Sequence, residues 1–165
     1  MRTQELREAA QRAIEGAFPI EPLPDPDQVS NDHCPECRGV AERFSVRPWP
    51  ELRRADLMGN PSPSLLTSAA FRYYLPAMML RSMEGRRELD CFPGSLVGAL
   101  SPAGGKPSEH SRDKLSGFSR GQVQAILAFL RYYEATEAEE LVTEGAGRVV
   151  ARAIKYWSGL AEGPA

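Results

Sequence analysis

The 165-residue sequence predicts an all-α protein, a single compact domain of about five to seven helices by periodicity. Three observations carry that expectation. Apolar residues recur at three- and four-residue spacing through most of the chain, no run alternates convincingly with period two, and helix start and stop signals punctuate the segments. The composition agrees with an ordered globular chain, since 42% of residues are hydrophobic and 25% charged.

The first segment places Leu6, Ala10, Ala13, Ile14 and Phe18 on one face, with Thr3 as N-cap and Pro19 ending the helix, so residues 1–18 form an N-terminal helix. Residues 19–30 alternate proline with acids and read as an extended surface connector. Residues 31–160 then make a single helical domain. Within it a helix over about residues 32–44 turns Cys37, Val40, Ala41 and Phe44 inward, capped by Asn31 or Asp32, with Pro35 confined to the first turn. Trp49-Pro50-Glu51-Leu52 leads into a short helix that stops before Gly59.

Thr67 caps the next helix, with Leu66 and Phe71 as a hydrophobic staple and Phe71, Tyr74, Leu75 and Met78 as its stripe. Pro76 lies inside it, where a missing N–H and a ring clash predict a kink over residues 72–76; Gly85 ends the helix. Residues 92–100 read as a short apolar helix or turn, and 101–116 as a polar loop. Ser119 and Gln122 form a capping box, Phe118 and Val123 its staple, and Val123, Ile126, Leu127, Leu130 and Tyr133 face the core. Thr136 and Glu139 suggest a second capping box, and the last helical pattern reaches Trp157 with a weak point at Gly145 and Gly147.

Three blocks carry a family resemblance: Trp49-Pro50-Glu51-Leu52; the run from Leu65 through Phe71-Arg72-Tyr73-Tyr74-Leu75-Pro76-Ala77; and Phe118-Ser119-Arg120-Gly121-Gln122 continuing to Leu130, with Tyr156-Trp157 near the end. In these the chain resembles a family of small, mostly bacterial proteins known only as a domain of unknown function. The resemblance covers roughly residues 30–158. It departs from the family pattern at Ser68-Ala69, where Pro-Glu is usual, and it implies a fold and no established activity.

The chemistry concentrates in Asp32-His33-Cys34-Pro35-Glu36-Cys37. On a helix His33, Cys34 and Cys37 fall at about 0°, 100° and 40° around the axis, so the three could face one ion. A structural zinc site needs four donors, and only Cys91 and His110 remain among histidines and cysteines, each alone. A Cys-x-x-Cys at a helix start is also a redox pattern, although the thioredoxin context has a preceding strand. The reading ranked first is structural, with Cys37 in the core and His33 and Cys34 holding the helix start. Arg72 and Tyr73 beside Pro76 could line a polar pocket, against a plain packing role. Gly104-Gly105-Lys106-Pro107 lacks the spacing of a phosphate loop. Arg53-Arg54 and Arg86-Arg87 read as solvated faces and His110 as a surface residue. No catalytic triad, zinc-protease or nucleotide-binding pattern is present.

A net charge of −2 gives no drive toward nucleic acid or anionic membrane, and no apolar run approaches a membrane span. Three cysteines are too few for a disulfide framework, so reduced thiols and a cytoplasmic location are expected. The function expected from these features is protein binding or regulation, of the immunity type among others, with an unknown protein partner, no committed catalytic residue and no cofactor. The alternative is a metal-binding protein using His33, Cys34 and Cys37, with zinc as the metal.

Overall fold

Spacing of three and four residues is realised as eight α-helical segments among the described residues, and no strand is formed among them. The computed structural model describes residues 2–31, 34–44, 47–84, 88–139 and 144–163, excepting the side chains of 110, 137–139 and 144. The helices are α1 (Thr3–Ala17), α2 (Pro35–Phe44), α3 (Arg54–Leu57), α4 (Ser68–Glu84), α5 (Phe92–Ala99), α6 (Glu109–Arg112), α7 (Arg120–Glu139) and α8 (Glu144–Glu162). Two of these, α3 and α6, are single turns of four residues. The protein is all-α, as its periodicity predicts. No described helix is long and apolar enough to cross a membrane. Close contacts group the chain into two units, residues 18–96 and residues 1–17 with 97–165. One division follows the end of α1, and the other falls inside α5, where the sequence carries no linker composition.

The unit of residues 18–96 is organised by α4. Phe71, Tyr74, Leu75, Ala77, Met78 and Met79 are all essentially inaccessible, and burial continues around most of the helix. Each such large apolar side chain contributes about 1.5–3 kcal/mol when fully removed from water. The start of α4 forms as expected. Thr67 Oγ1 accepts the Ala70 N–H at 3.2 Å, and Leu66 and Phe71 are both buried. Thr67 also donates its hydroxyl to the Gln28 carbonyl at 2.6 Å, while its N–H reaches the Val29 carbonyl at 3.0 Å. Val29 is fully buried and Ser30 bridges Leu66, so the proline-rich stretch ends tied into the fold. Pro76 sits buried inside α4, which runs from Ser68 to Glu84; the Gly85 stop and Arg86-Arg87 lie outside the described residues.

Trp49-Pro50-Glu51 forms a 3-10 turn whose indole N–H donates to the Pro19 carbonyl at 3.0 Å. Tyr74 packs edge-on against Phe44, with ring centres 5.3 Å apart, and its hydroxyl donates to the Arg47 carbonyl. Burial pushes that phenol up to about 12, so it stays neutral. Arg47 bonds the Asp56 carboxylate at 3.0 Å, and Arg54 pairs with Glu88 at 2.7 Å.

In the other unit α7 packs against both α1 and α8. It buries Val123, Ile126, Leu127, Leu130 and Tyr133, the expected core face, with Phe129 added. The Ser119–Gln122 capping box is present, Ser119 N–H to Gln122 Oε1 at 2.9 Å and Gln122 N–H to Ser119 Oγ at 3.3 Å. Trp157 is fully buried and donates its indole N–H to the Leu100 carbonyl at 2.9 Å.

Local signals misplace some boundaries. α1 begins at Thr3 itself, and Arg2 takes the capping position, its N–H bonded to Glu5 Oε2 at 2.8 Å. The second capping box does not form, because α7 continues through Thr136 to Glu139. Thr136 turns its hydroxyl back onto the Tyr132 and Tyr133 carbonyls, at 3.2 and 2.8 Å, a bond that mid-helix threonines make readily. The pattern from Thr136 to Trp157 falls on two helices, α7 ending at Glu139 and α8 starting at Glu144 with Gly145 and Gly147 in its first turns, while residues 140–143 lie outside the described residues. The 101–116 loop holds a 3-10 turn at Ala103–Gly105 and the turn α6, capped by Ser108.

Candidate functional site

Pro35 sets the geometry of the cysteine pair. With φ fixed and no N–H to lose, it occupies the first position of α2, which leaves Cys34 at the capping position. The cap is therefore Cys34, in place of the expected Asn31 or Asp32. Cys34 Sγ accepts the Cys37 N–H at 3.2 Å and lies 2.9 Å from Cys37 Sγ. Cys37 is buried in the core, as expected, while Cys34 is partly exposed; both are free thiols. The Cys37 thiol, and then its backbone N–H, hold the Cys34 thiol below its ordinary pKa. Since Cys34 precedes the helix, its angular position on a regular helix does not describe it. His33 lies outside the described residues, as does the side chain of His110. Among the described residues no three His, Cys, Asp or Glu side chains are grouped to hold a metal ion. Cys91 is exposed.

Tyr73 is engaged structurally. Its hydroxyl donates to the Ile20 carbonyl at 2.7 Å and accepts the Trp49 N–H at 3.3 Å. Its ring meets Tyr74 edge-on with centres 4.8 Å apart, and burial raises its pKa. Arg72 is half-buried on the same helix. Neither lines the cavities that follow.

Two cavities flank Tyr156 on α8. One, of about 500 Å³, lies where the loop before α7 meets the end of α8; Leu115, Phe118, Val123, Leu160 and Ala161 give it apolar walls and Arg120 sits at its edge. The other, of about 690 Å³, is lined by Gly104, Gly105, Lys106, Ala151, Arg152, Lys155 and Tyr156. Gly104 and Gly105 have φ of 68° and 80°, the left-handed region that glycine adopts without a Cβ clash. The sequence reading of this loop as no phosphate loop missed that its lysine lies on a shared cavity with α8. Arg152 Nε donates to Ser101 Oγ at 3.0 Å, and the Tyr156 hydroxyl reaches the Leu115 carbonyl at 3.4 Å. Phe118 and Tyr156 each meet Trp157 edge-on, with ring centres 5.3 and 5.4 Å apart, so the wall between the cavities rests on a buried indole. Among the described residues no acid lines either cavity, although the chain carries 22 acids against 20 lysines and arginines.

This face was legible in principle. Arg152 and Lys155 stand at i, i+3, and Tyr156 and Leu160 at i, i+4, spacings that place each pair on one helix face.

The family of unknown function DUF6714 matches residues 30–160. The chain belongs to this family. The match includes both cysteines of the pair and the Tyr156 face, and it begins after α1. No curated protein and no solved structure matches the chain.

Proposed function

We propose that this DUF6714 protein is a binding and regulatory module that docks an acidic segment of a partner protein, with one apolar anchor residue, on the face around Tyr156. The observation that carries the reading is the pairing of an apolar groove with a basic one across a single tyrosine, with no acid among the described residues of either lining. An apolar side chain seated against Phe118, Val123 and Leu160 would bury surface worth about 25 cal/mol per Å². Carboxylates on the neighbouring turn would meet Lys106 and Lys155, which fix orientation and speed encounter. Leu160 is 45% exposed, so this apolar surface is open to a partner. An immunity-type protein, which works by covering a partner's surface, is one member of this class. The reading assigns no catalytic residue and no cofactor.

The test uses isotope-labelled full-length protein and a synthetic helical peptide of alternating glutamate and leucine turns as probe. Amide shifts confined to residues 104–106, 115–123 and 151–161, weakening with salt, are expected. Shifts scattered over the chain, or none at millimolar probe, would contradict the reading.

The metal-binding alternative rests on Cys34 and Cys37 side by side, with His33 next in sequence. Elemental analysis of untagged protein decides it. Stoichiometric zinc or iron that disappears in Cys37→Ser supports a metal site, and metal-free folded protein ends that reading.

A further inference from the structure

We infer that Cys34 and Cys37 form a dithiol–disulfide couple, in which Cys34 is the attacking sulfur and Cys37 the resolving one. The two sulfurs stand 2.9 Å apart. A disulfide requires about 2.05 Å, so the two sulfurs already stand as direct neighbours with nothing between them. Cys34 at the cap and Cys37 in the first turn of α2 are also tied together by the Cys37 N–H, which donates to Cys34 Sγ at 3.2 Å.

Exposure divides the labour. Cys34 is partly exposed and reachable by a second molecule, whereas Cys37 is buried and reachable only by Cys34. The Cys37 N–H that bonds Cys34 Sγ stabilises negative charge there, at the end of a helix where the dipole does the same. Sulfur is not needed for the cap alone, because serine and threonine do that better. The co-reactant is a disulfide of the glutathione class. Cys34 thiolate attacks one of its sulfurs and expels the first thiolate, leaving a mixed disulfide. Cys37 then gives up its proton and attacks Cys34 Sγ, expelling the second thiolate. The sum is one dithiol oxidised to an intramolecular disulfide and one disulfide reduced to two thiols.

The inference is independent of the docking face and has its own test. Full-length Cys91→Ser protein, which removes the exposed third thiol, is equilibrated with excess glutathione disulfide, acid-quenched, and its free thiols counted by maleimide mass shift. Loss of both thiols with a 34–37 linked peptide is expected. Cys37→Ser should stop at the glutathione adduct on Cys34, and Cys34→Ser, which keeps an oxygen cap, should fold and leave Cys37 unmodified. Two free thiols surviving under native conditions would overturn the couple. So would an adduct that forms first on Cys37, or stoichiometric zinc retained by both sulfurs.

Discussion

At the scale of single residues, the fold turns on a few polar groups whose partners are now explicit. Asp56 is one. Burial alone would raise its carboxyl, but hydrogen bonds from the Arg47 guanidinium and the Arg53 N–H, together with the Arg47 charge, outweigh it and hold the pKa below the usual range. A depressed folded pKa stabilises the protein above the unfolded value of about 3.9 and loses that contribution as pH falls through the lower folded one. Asp56→Asn should therefore lower the urea midpoint at pH 7, with the gap to wild type closing in acid. A constant gap at both pH values would contradict the assignment. Ser82 is the opposite case, a buried hydroxyl with no hydrogen-bond partner among the described residues. Its burial costs about 1–3 kcal/mol unpaired, so Ser82→Ala should raise stability by ~1 kcal/mol in equilibrium unfolding, and a loss of that size would show a partner. Cys34 should alkylate with iodoacetamide at a pH midpoint below the ordinary thiol value of about 8.5, and Cys37→Ala should move the midpoint upward. The sequence showed Cys37 as a core residue and Pro35 as a first-turn residue. It could not show that these two facts together force Cys34 into the cap, because that depends on where the helix begins.

At the scale of elements, the legible parts were those written in local bonds. Thr67 and the Ser119–Gln122 pair close the same three-residue loops in space that their spacing suggests in sequence. Ser119→Ala should cost ~1 kcal/mol of unfolding free energy, read as a shift in the urea midpoint without a change in slope; no shift would mean that tertiary packing alone holds the start of α7. The Thr136 pattern failed for a physical reason. A threonine followed three residues later by glutamate satisfies a capping box or a mid-helix back-bond equally well, and here α7 continues past it with the back-bond made. α1 shows what local signals cannot reach. Its buried Ala10 and Ile14 lie on a helix that packs against α7, a pairing of distant segments that no short-range pattern encodes. Ile14→Ala should cost about 2–4 kcal/mol, measured the same way, whereas a cost below ~0.5 kcal/mol would place α1 outside the stabilising core.

At the scale of the whole molecule, a net charge of −2 conceals an uneven distribution. Acids and bases nearly cancel in the sum, yet the charged side chains among the described residues lining the two cavities beside Tyr156 are Arg120, Lys106, Arg152 and Lys155. That is why composition argued against nucleic acid and membrane while giving no hint of a charged docking face. The face was distributed over the 101–106 loop, the 115–123 segment and α8, and only folding brings these together. Family membership extends across residues 30–160, so it spans both the dithiol and this face without assigning chemistry to either. On the function proposed above, the Tyr156 face binds an acidic, apolar-anchored segment. Titration calorimetry with the glutamate–leucine peptide against wild type and the Lys106→Glu/Lys155→Glu double variant tests it most directly. Salt-sensitive binding is expected, weakened in the double variant by about tenfold or more, ~1.4 kcal/mol, with the variant still folded by circular dichroism. Equal affinity for both proteins would contradict it.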